Sequence, residues 1–154
     1  MHEGKEKIMA KKEVILGVTG SIAAYRGCDI INNLKKAGIN VTVIMTKEAK
    51  EFISPLTFQT LSHNKVYSEM FELPAASNPV HTSLADIADL IIIAPACANV
   101  IGKIAGGICD DLLTCVVLAS KAKILIAPAM NEKMYLNPAV QDNIKRLKDR
   151  GMKF

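Results

Sequence analysis

The sequence predicts an α/β protein whose doubly wound parallel sheet is flanked by helices in three layers, α/β/α, a Rossmann-like or flavodoxin-like arrangement. Three observations predict it. Short β-branched runs alternate along the chain with segments of helical periodicity, the succession that builds parallel sheets. The run at 90–94, LIIIA, is apolar at every position, as a strand covered on both faces by helices requires. Small or polar turns (TGSI, TK, PACAN, PAMN) follow the strand runs, at the ends where such sheets hold ligands.

Each element can be justified in chain order. Residues 1–11 are polar, charged and aperiodic and are expected to form a mobile lead-in, leaving one folded domain over 12–154. The first strand is expected at 14–18. Ala24, Gly27, Ile31 and Leu34 then recur at helical spacing up to Gly38, a good C-terminal stop. A strand at 41–45 and a weaker one at 66–68 follow. The stretch 69–80 has two prolines and no periodicity, so a long surface loop is expected to lead into His81. After the strand at 90–94, Asn99 is expected to cap a helix; Asp110 is expected to cap another, over 112–119, with Asp111 favoured by that helix's N-terminus. The last strand falls at 124–127, and 150–154 reads as a helix stop running into an unfinished strand, so the domain is expected to be truncated at its C-terminus.

Composition narrows the function. The net charge of +4 arises from 19 basic and 15 acidic residues, and no aromatic residues are interleaved with the basic stretches, which argues against nucleic acid and leaves a phosphorylated small molecule as a fitting ligand. Half the residues are hydrophobic and 22% are charged, so much surface is buried and a good part of the rest is expected to be interface. Cys28, Cys97, Cys109 and Cys115 show no metal-type spacing and read as reduced, buried thiols of a cytoplasmic protein. The longest apolar run, 90–98, is about half of a bilayer span, so no membrane partner is expected.

The chemistry-bearing residues follow the strands. Thr19, Gly20, Ser21 and Ile22 open a helix, where glycine admits close backbone approach and free N–H groups suit an anion. The glycines at 17 and 20 do not match dinucleotide spacing, so a mononucleotide such as FMN fits better than NAD. Thr46 and Lys47 offer a hydroxyl and a cation. Cys97, Ala98 and Asn99 form a small-residue turn that would admit a flat ring. Asn131 brings a carboxamide to the sheet edge ahead of Met134 and Tyr135, and His81 is the first candidate for a base near neutral pH. Taken singly, each turn is equally a capped helix start.

Together these segments resemble the homo-oligomeric flavin-containing cysteine decarboxylase family. The resemblance spans residues 13–154 and is carried by VTGSIAAYR (18–26), MTKEAKEFISPLTFQTLS (45–62), His81, APACANVIGKIAGGICDDLLT (94–114) and PAMNEKMY (128–135). It implies FMN at a subunit interface of a homotrimer or a higher assembly of trimers, held by Gly20, Ser21, Ile22, Thr46, Phe58, Cys97, Ala98 and Asn99. It also implies oxidation of a cysteinyl thiol that lets CO2 leave, with His81 as base and Asn131 gripping the carboxylate, Met134 and Tyr135 beside it. Tyr135 stands where the family motif has tryptophan. The expected substrate is phosphopantothenoylcysteine, on the way to phosphopantetheine and coenzyme A, and the expected enzyme class is carboxy-lyase. Members that complete that reduction carry a glycine-flanked cysteine flap after the next strand, which this chain does not reach, so it could be the decarboxylase part of a bifunctional decarboxylase and synthase. A peptide C-terminal cysteine decarboxylase would use the same residues. A flavin prenyltransferase should lack PAMNxxM, and a non-enzymatic flavin-binding subunit should have lost His81 or Asn131, both present here.

Overall fold

The computed structural model describes residues 11–71 and 78–154. The expected lead-in, but for Lys11, and the middle of the expected loop at 69–80 lie outside the described residues. Among those described, five parallel strands run in the order β3–β2–β1–β4–β5. They are β1 (Glu13–Val18), β2 (Asn40–Met45), β3 (Val66–Tyr67), β4 (Leu90–Ala96) and β5 (Lys123–Pro128). Val14 stands opposite Val41 on one side and Leu90 on the other, and Leu90 opposite Lys123.

Side chains alternate across a strand, so an all-apolar strand feeds two cores. Val14, Leu16 and Val18 of β1 join Val41, Val43 and Met45 in a cluster closed by α1 (Arg26–Lys36) and α2 (Pro55–Ser62), which supply Ile31 and Phe58. On the other face Ile15, Ile44, Ile91 and Ile93 meet α3 (Val80–Ile87), α4 (Ala98–Gly106), α5 (Leu112–Ala119) and α7 (Pro138–Asp149). Short α6 (Glu132–Tyr135) precedes α7. The three-layer expectation holds. No helix among the described residues is long and apolar enough to cross a membrane.

Close packing explains two glycines. A Cβ at Gly17 would lie 2.6 Å from Leu113 Cδ1, so its absence lets α5 settle on β1; one at Gly27 would lie 2.9 Å from the Phe58 ring, beneath α1. The predicted helix starting near Ala24 divides into a 3-10 turn, Ile22–Tyr25, and α1, which ends as expected before Gly38 at φ 75°.

Two caps differ from expectation. Cys97, not Asn99, is the N-cap of α4, and no side chain bonds its first turn. Asp111, not Asp110, caps α5: its carboxylate accepts from Thr114 N–H at 2.8 Å, and Thr114 Oγ1 reaches back to the Asp111 N–H in a capping box. Asp110 instead pairs with Lys103 at 2.8 Å.

At the N-terminal ends of the strands a polar chain crosses the sheet. Asp89 accepts from Glu13 N–H at 2.8 Å, Glu13 accepts from the Asn40 amide at 2.7 Å, and the Asn64 amide donates to Asn40 Oδ1 at 2.9 Å and Val41 O at 2.7 Å. Beyond α7, Gly151 takes φ 91° and Lys153 forms a parallel bridge with Leu125, within the 150–154 stretch expected to stop a helix and run into a strand.

Candidate functional site

The chain passes from β1 outward through β2 to β3, then returns to place β4 on the other side of β1. Loops leaving β1 and β4 therefore diverge, and a crevice opens beyond their carboxyl ends. A cleft of about 650 Å³ occupies this position, lined by Gly20, Ser21, Ile22 and Ala23 after β1, Phe52 after β2, Cys97 after β4, and Ala129, Met130, Asn131 and Met134 after β5.

Each wall has a local cause. Ser21, extended at φ −142°, caps the 3-10 turn by accepting from Ala23 N–H at 3.3 Å, which leaves Ile22 76% exposed at the cleft. Gly20 passes so near the turn after β2 that a Cβ would lie 2.5 Å from Glu48 Cβ. Across the cleft, the uncapped first turn of α4 leaves amide N–H groups for a ligand's oxygens. Asn131 Oδ1 accepts from Lys133 N–H at 2.9 Å to cap α6, and the residue is exposed at the cleft. Met130, Met134, Ile22 and Phe52 supply apolar surface between these polar points.

Thr19 joins the two sides. Its side chain, wholly buried, donates to Pro95 O at 2.8 Å and accepts from Cys97 N–H at 2.9 Å, while its own N–H reaches Pro95 O at 3.2 Å. Ala129 N–H donates to Ala96 O at 3.0 Å, so β5's turn is tied to β4's in the same line.

Of the residues expected from sequence, Gly20, Ser21, Ile22, Cys97, Asn131 and Met134 come together here. Ala98 and Asn99 follow Cys97 on the first turn of α4, Asn99 exposed, and Tyr135 is 40% exposed on α6. Thr46 is buried, accepts from Ala49 N–H at 3.3 Å, and faces a second recess of about 520 Å³ with Lys47, Ser68, Asp110 and Leu113. Phe58 does not line the cleft: its ring is completely enclosed beneath α1, whereas Phe52, 51% exposed, does. His81, half-buried in the first turn of α3, is not among the residues lining the cleft.

Sequence reasoning missed Phe52, and it read Thr19, Ala129 and Met130 only as turn residues. A signal existed for Thr19, a polar β-branched residue directly after an apolar strand, and for Phe52, the first large apolar residue after the polar run 46–51.

Charge gathers beside the second recess rather than in the cleft. Lys103 bridges Asp110 at 2.8 Å and Asp111 at 3.0 Å. The hydrogen bond from Lys103 holds the Asp110 carboxyl below the usual carboxylate range, and the bond to Asp110 holds the Lys103 ammonium above the ordinary lysine value. The cysteines are free, but Cys109 is exposed rather than buried, and the other three are half-buried. Burial pushes the Cys28 and Cys115 thiols up. No cluster of metal-ligating side chains occurs among the described residues. A cleft with apolar walls, a close glycine turn and open helix-start N–H groups suits a flat ring with polar edges and an anionic tail.

Comparison with known proteins agrees with this chemistry. The Flavoprotein family model matches residues 2–154. The chain is 50% identical over 147 residues to the coenzyme A biosynthesis bifunctional protein CoaBC of Bacillus subtilis, covering 96% of this chain and 36% of that protein. It is 46% identical over 144 residues to a probable phosphopantothenoylcysteine decarboxylase of Streptococcus mutans, covering 92% of this chain and 80% of that one. Among solved structures, the FMN-dependent cysteine decarboxylase SpaF superposes with a TM-score of 0.89 at 31% identity, over 94% of this chain and 83% of that one. A PPC decarboxylase mutant complexed with pantothenoylaminoethenethiol superposes with a TM-score of 0.79 at 30% identity, over 93% of this chain and 80% of that one. The chain thus spans little more than a third of the bifunctional relatives and most of the single-function one, and it belongs to the Flavoprotein family.

Proposed function

We propose that this chain is an FMN-dependent decarboxylase of phosphopantothenoylcysteine, a carboxy-lyase of coenzyme A biosynthesis working in the cytoplasm. The observation that carries the reading is the meeting of Gly20–Ser21–Ile22, Cys97 and Asn131 in one cleft at the reversal of strand order. Half-identity to a coenzyme A biosynthesis protein over 96% of the chain supports the substrate.

The residues present fit FMN. Ser21, the Ile22 turn and the open N–H groups of α4 with Ala98 and Asn99 would hold its polar parts, and Phe52, Ile22 and Met130 would flank a ring. Bound there, FMN supplies the two-electron oxidation that turns the cysteinyl thiol into a thioaldehyde, the electron sink for loss of CO2. The Asn131 carboxamide, fixed by its bond to Lys133 N–H, donates to the substrate carboxylate and sets its orientation. Met134 and Tyr135 cover the substrate against water, and His81 accepts a proton from the substrate. His81 lies away from the cleft lining within one chain, and Ile22, Phe52 and Met134 leave apolar surface at its rim. A homotrimer in which one protomer brings His81 to its neighbour's cleft satisfies both facts.

A second reading has its own support. For a peptide C-terminal cysteine decarboxylase, an EpiD mutant complexed with the substrate peptide DSYTC superposes with a TM-score of 0.81, against 0.79 for the PPC decarboxylase complex. Sequence identity favours the small substrate. The test is to purify the protein, add FMN, and follow CO2 and product mass with phosphopantothenoylcysteine and with a cysteine-ended peptide. A yellow protein that turns over the former, with the rate abolished in His81→Asn, is expected. A protein that binds no FMN, or turns over the peptide alone, refutes the assignment.

A further inference from the structure

We propose that Thr19 is a positioning residue, whose buried hydroxyl holds the two walls of the cleft at the separation FMN requires. The inference rests on the reading that FMN occupies this cleft. Its basis is a gap in the sheet ladder. Pairing of β1 with β4 ends at Gly17 and Ile93, while pairing of β1 with β2 continues to Val18 and Met45. Beyond Ile93 the register of β4 against β5 also shifts, before pairing resumes at Ala96 and Pro128. The strands on either side of the crevice thus part company just where the loops need a fixed distance.

Past the last ladder pair one main-chain bond still crosses, from Thr19 N–H to Pro95 O at 3.2 Å, and Thr19 Oγ1 adds two more, accepting from Cys97 N–H at 2.9 Å and donating to Pro95 O at 2.8 Å. One wholly buried hydroxyl thereby bonds both the end of β4 and the first residue beyond it, the bond to Pro95 O shielded from water and that from Cys97 N–H partly so. Gly20 and Ser21 follow directly on one wall; Ala98 and the open turn of α4 follow Cys97 on the other. A β-branched side chain suits the task, since its χ1 has few choices, and the methyl packs where a serine would leave space. Thr19 need not touch the ligand: it acts through the positions of Ser21 and Cys97.

The test compares Thr19→Val, which keeps the shape and loses both bonds, with Thr19→Ser, which keeps both bonds. FMN titration by quenching of flavin fluorescence is expected to give Thr19→Ser an affinity near wild type and to weaken Thr19→Val by roughly tenfold or more, the scale of one or two hydrogen bonds. The visible circular dichroism of bound flavin is expected to change in Thr19→Val alone. Equal affinity and spectra for wild type and Thr19→Val, with only the melting temperature lowered, would show a structural role and overturn the inference. So would equal weakening by both variants. Wild-type protein that binds no FMN would instead overturn the reading of the cleft, and this inference with it. If Thr19→Val does not fold, amide exchange in wild-type holoprotein decides: the Cys97 N–H is expected to be protected, and free exchange there would refute the role.

Discussion

Two phenylalanines six positions apart make opposite predictions. Phe58 is completely buried against Gly27 and the β1 core, so Phe58→Ala removes most of a side chain's burial: about 150 Å² at about 25 cal/mol per Å², or about 4 kcal/mol, inside the about 3–5 kcal/mol that such truncations cost. For a domain of this size that lowers the melting temperature by roughly 6–20 °C. Phe52 is 51% exposed, so its truncation removes half as much burial, about 1–2 kcal/mol. Binding should show the reverse order. An aromatic side chain against a ligand ring contributes about 0.5–1.5 kcal/mol, so Phe52→Ala should weaken FMN about 2- to 12-fold. Phe58→Leu, which stays folded, should leave affinity within about twofold. The assays are thermal unfolding of the apoprotein and flavin fluorescence titration of each variant. Unchanged affinity in Phe52→Ala together with a large loss in Phe58→Leu would refute the assignment of the cleft wall.

Further outcomes follow from packing and charge. Gly17→Ala should cost about 1–3 kcal/mol by driving a methyl into Leu113, and Leu113→Ala in that background should cost less than on its own; additive losses in denaturant unfolding would count against the contact. Lys103→Met removes a partner that depresses the Asp110 carboxyl and whose own ammonium is raised. A depressed carboxyl stabilises above its unfolded value and loses that contribution as pH falls through the folded one. A raised ammonium stabilises below its unfolded value and loses it as pH rises through the folded one. The stability gap between wild type and Lys103→Met should therefore be flat between about pH 5 and pH 9 and close at both extremes; a gap independent of pH would refute the pairing.

Much of this was legible because the strands obey one rule. A strand between two helical layers is apolar on both faces, and 90–94 was visible for that reason, while 14–18 and 41–45 showed as short β-branched runs. The helix at 112–119 was legible down to its bounds, yet its cap was misplaced by one residue: Lys103 reaches both adjacent carboxylates, and it is Thr114, three positions after Asp111, that completes the capping box and selects Asp111. The two phenylalanines illustrate a different limit. Phe58 and Ser62 are one helical turn apart and share the buried face of α2, whereas Phe52 ends a 3-10 turn whose handover to α2 leaves no periodic trace. Thr19 was readable as a turn residue but not as a bond between turns, because its partners lie 76 and 78 positions away. That His81 stands apart from the residues lining the cleft could not be read, since it depends on where α3 packs and not on any local pattern.

The polar chain from Asp89 through Glu13 and Asn40 to Asn64 lies at the opposite end of the sheet from the cleft. It fastens β4, β1 and β2 and the approach to β3 where no ligand is received, so alignment of the strands is secured independently of the loops that meet FMN. Those loops can be rewritten, residue by residue, without the sheet slipping. An architecture divided in this way can exchange one thiol substrate for another while the frame beneath stays the same.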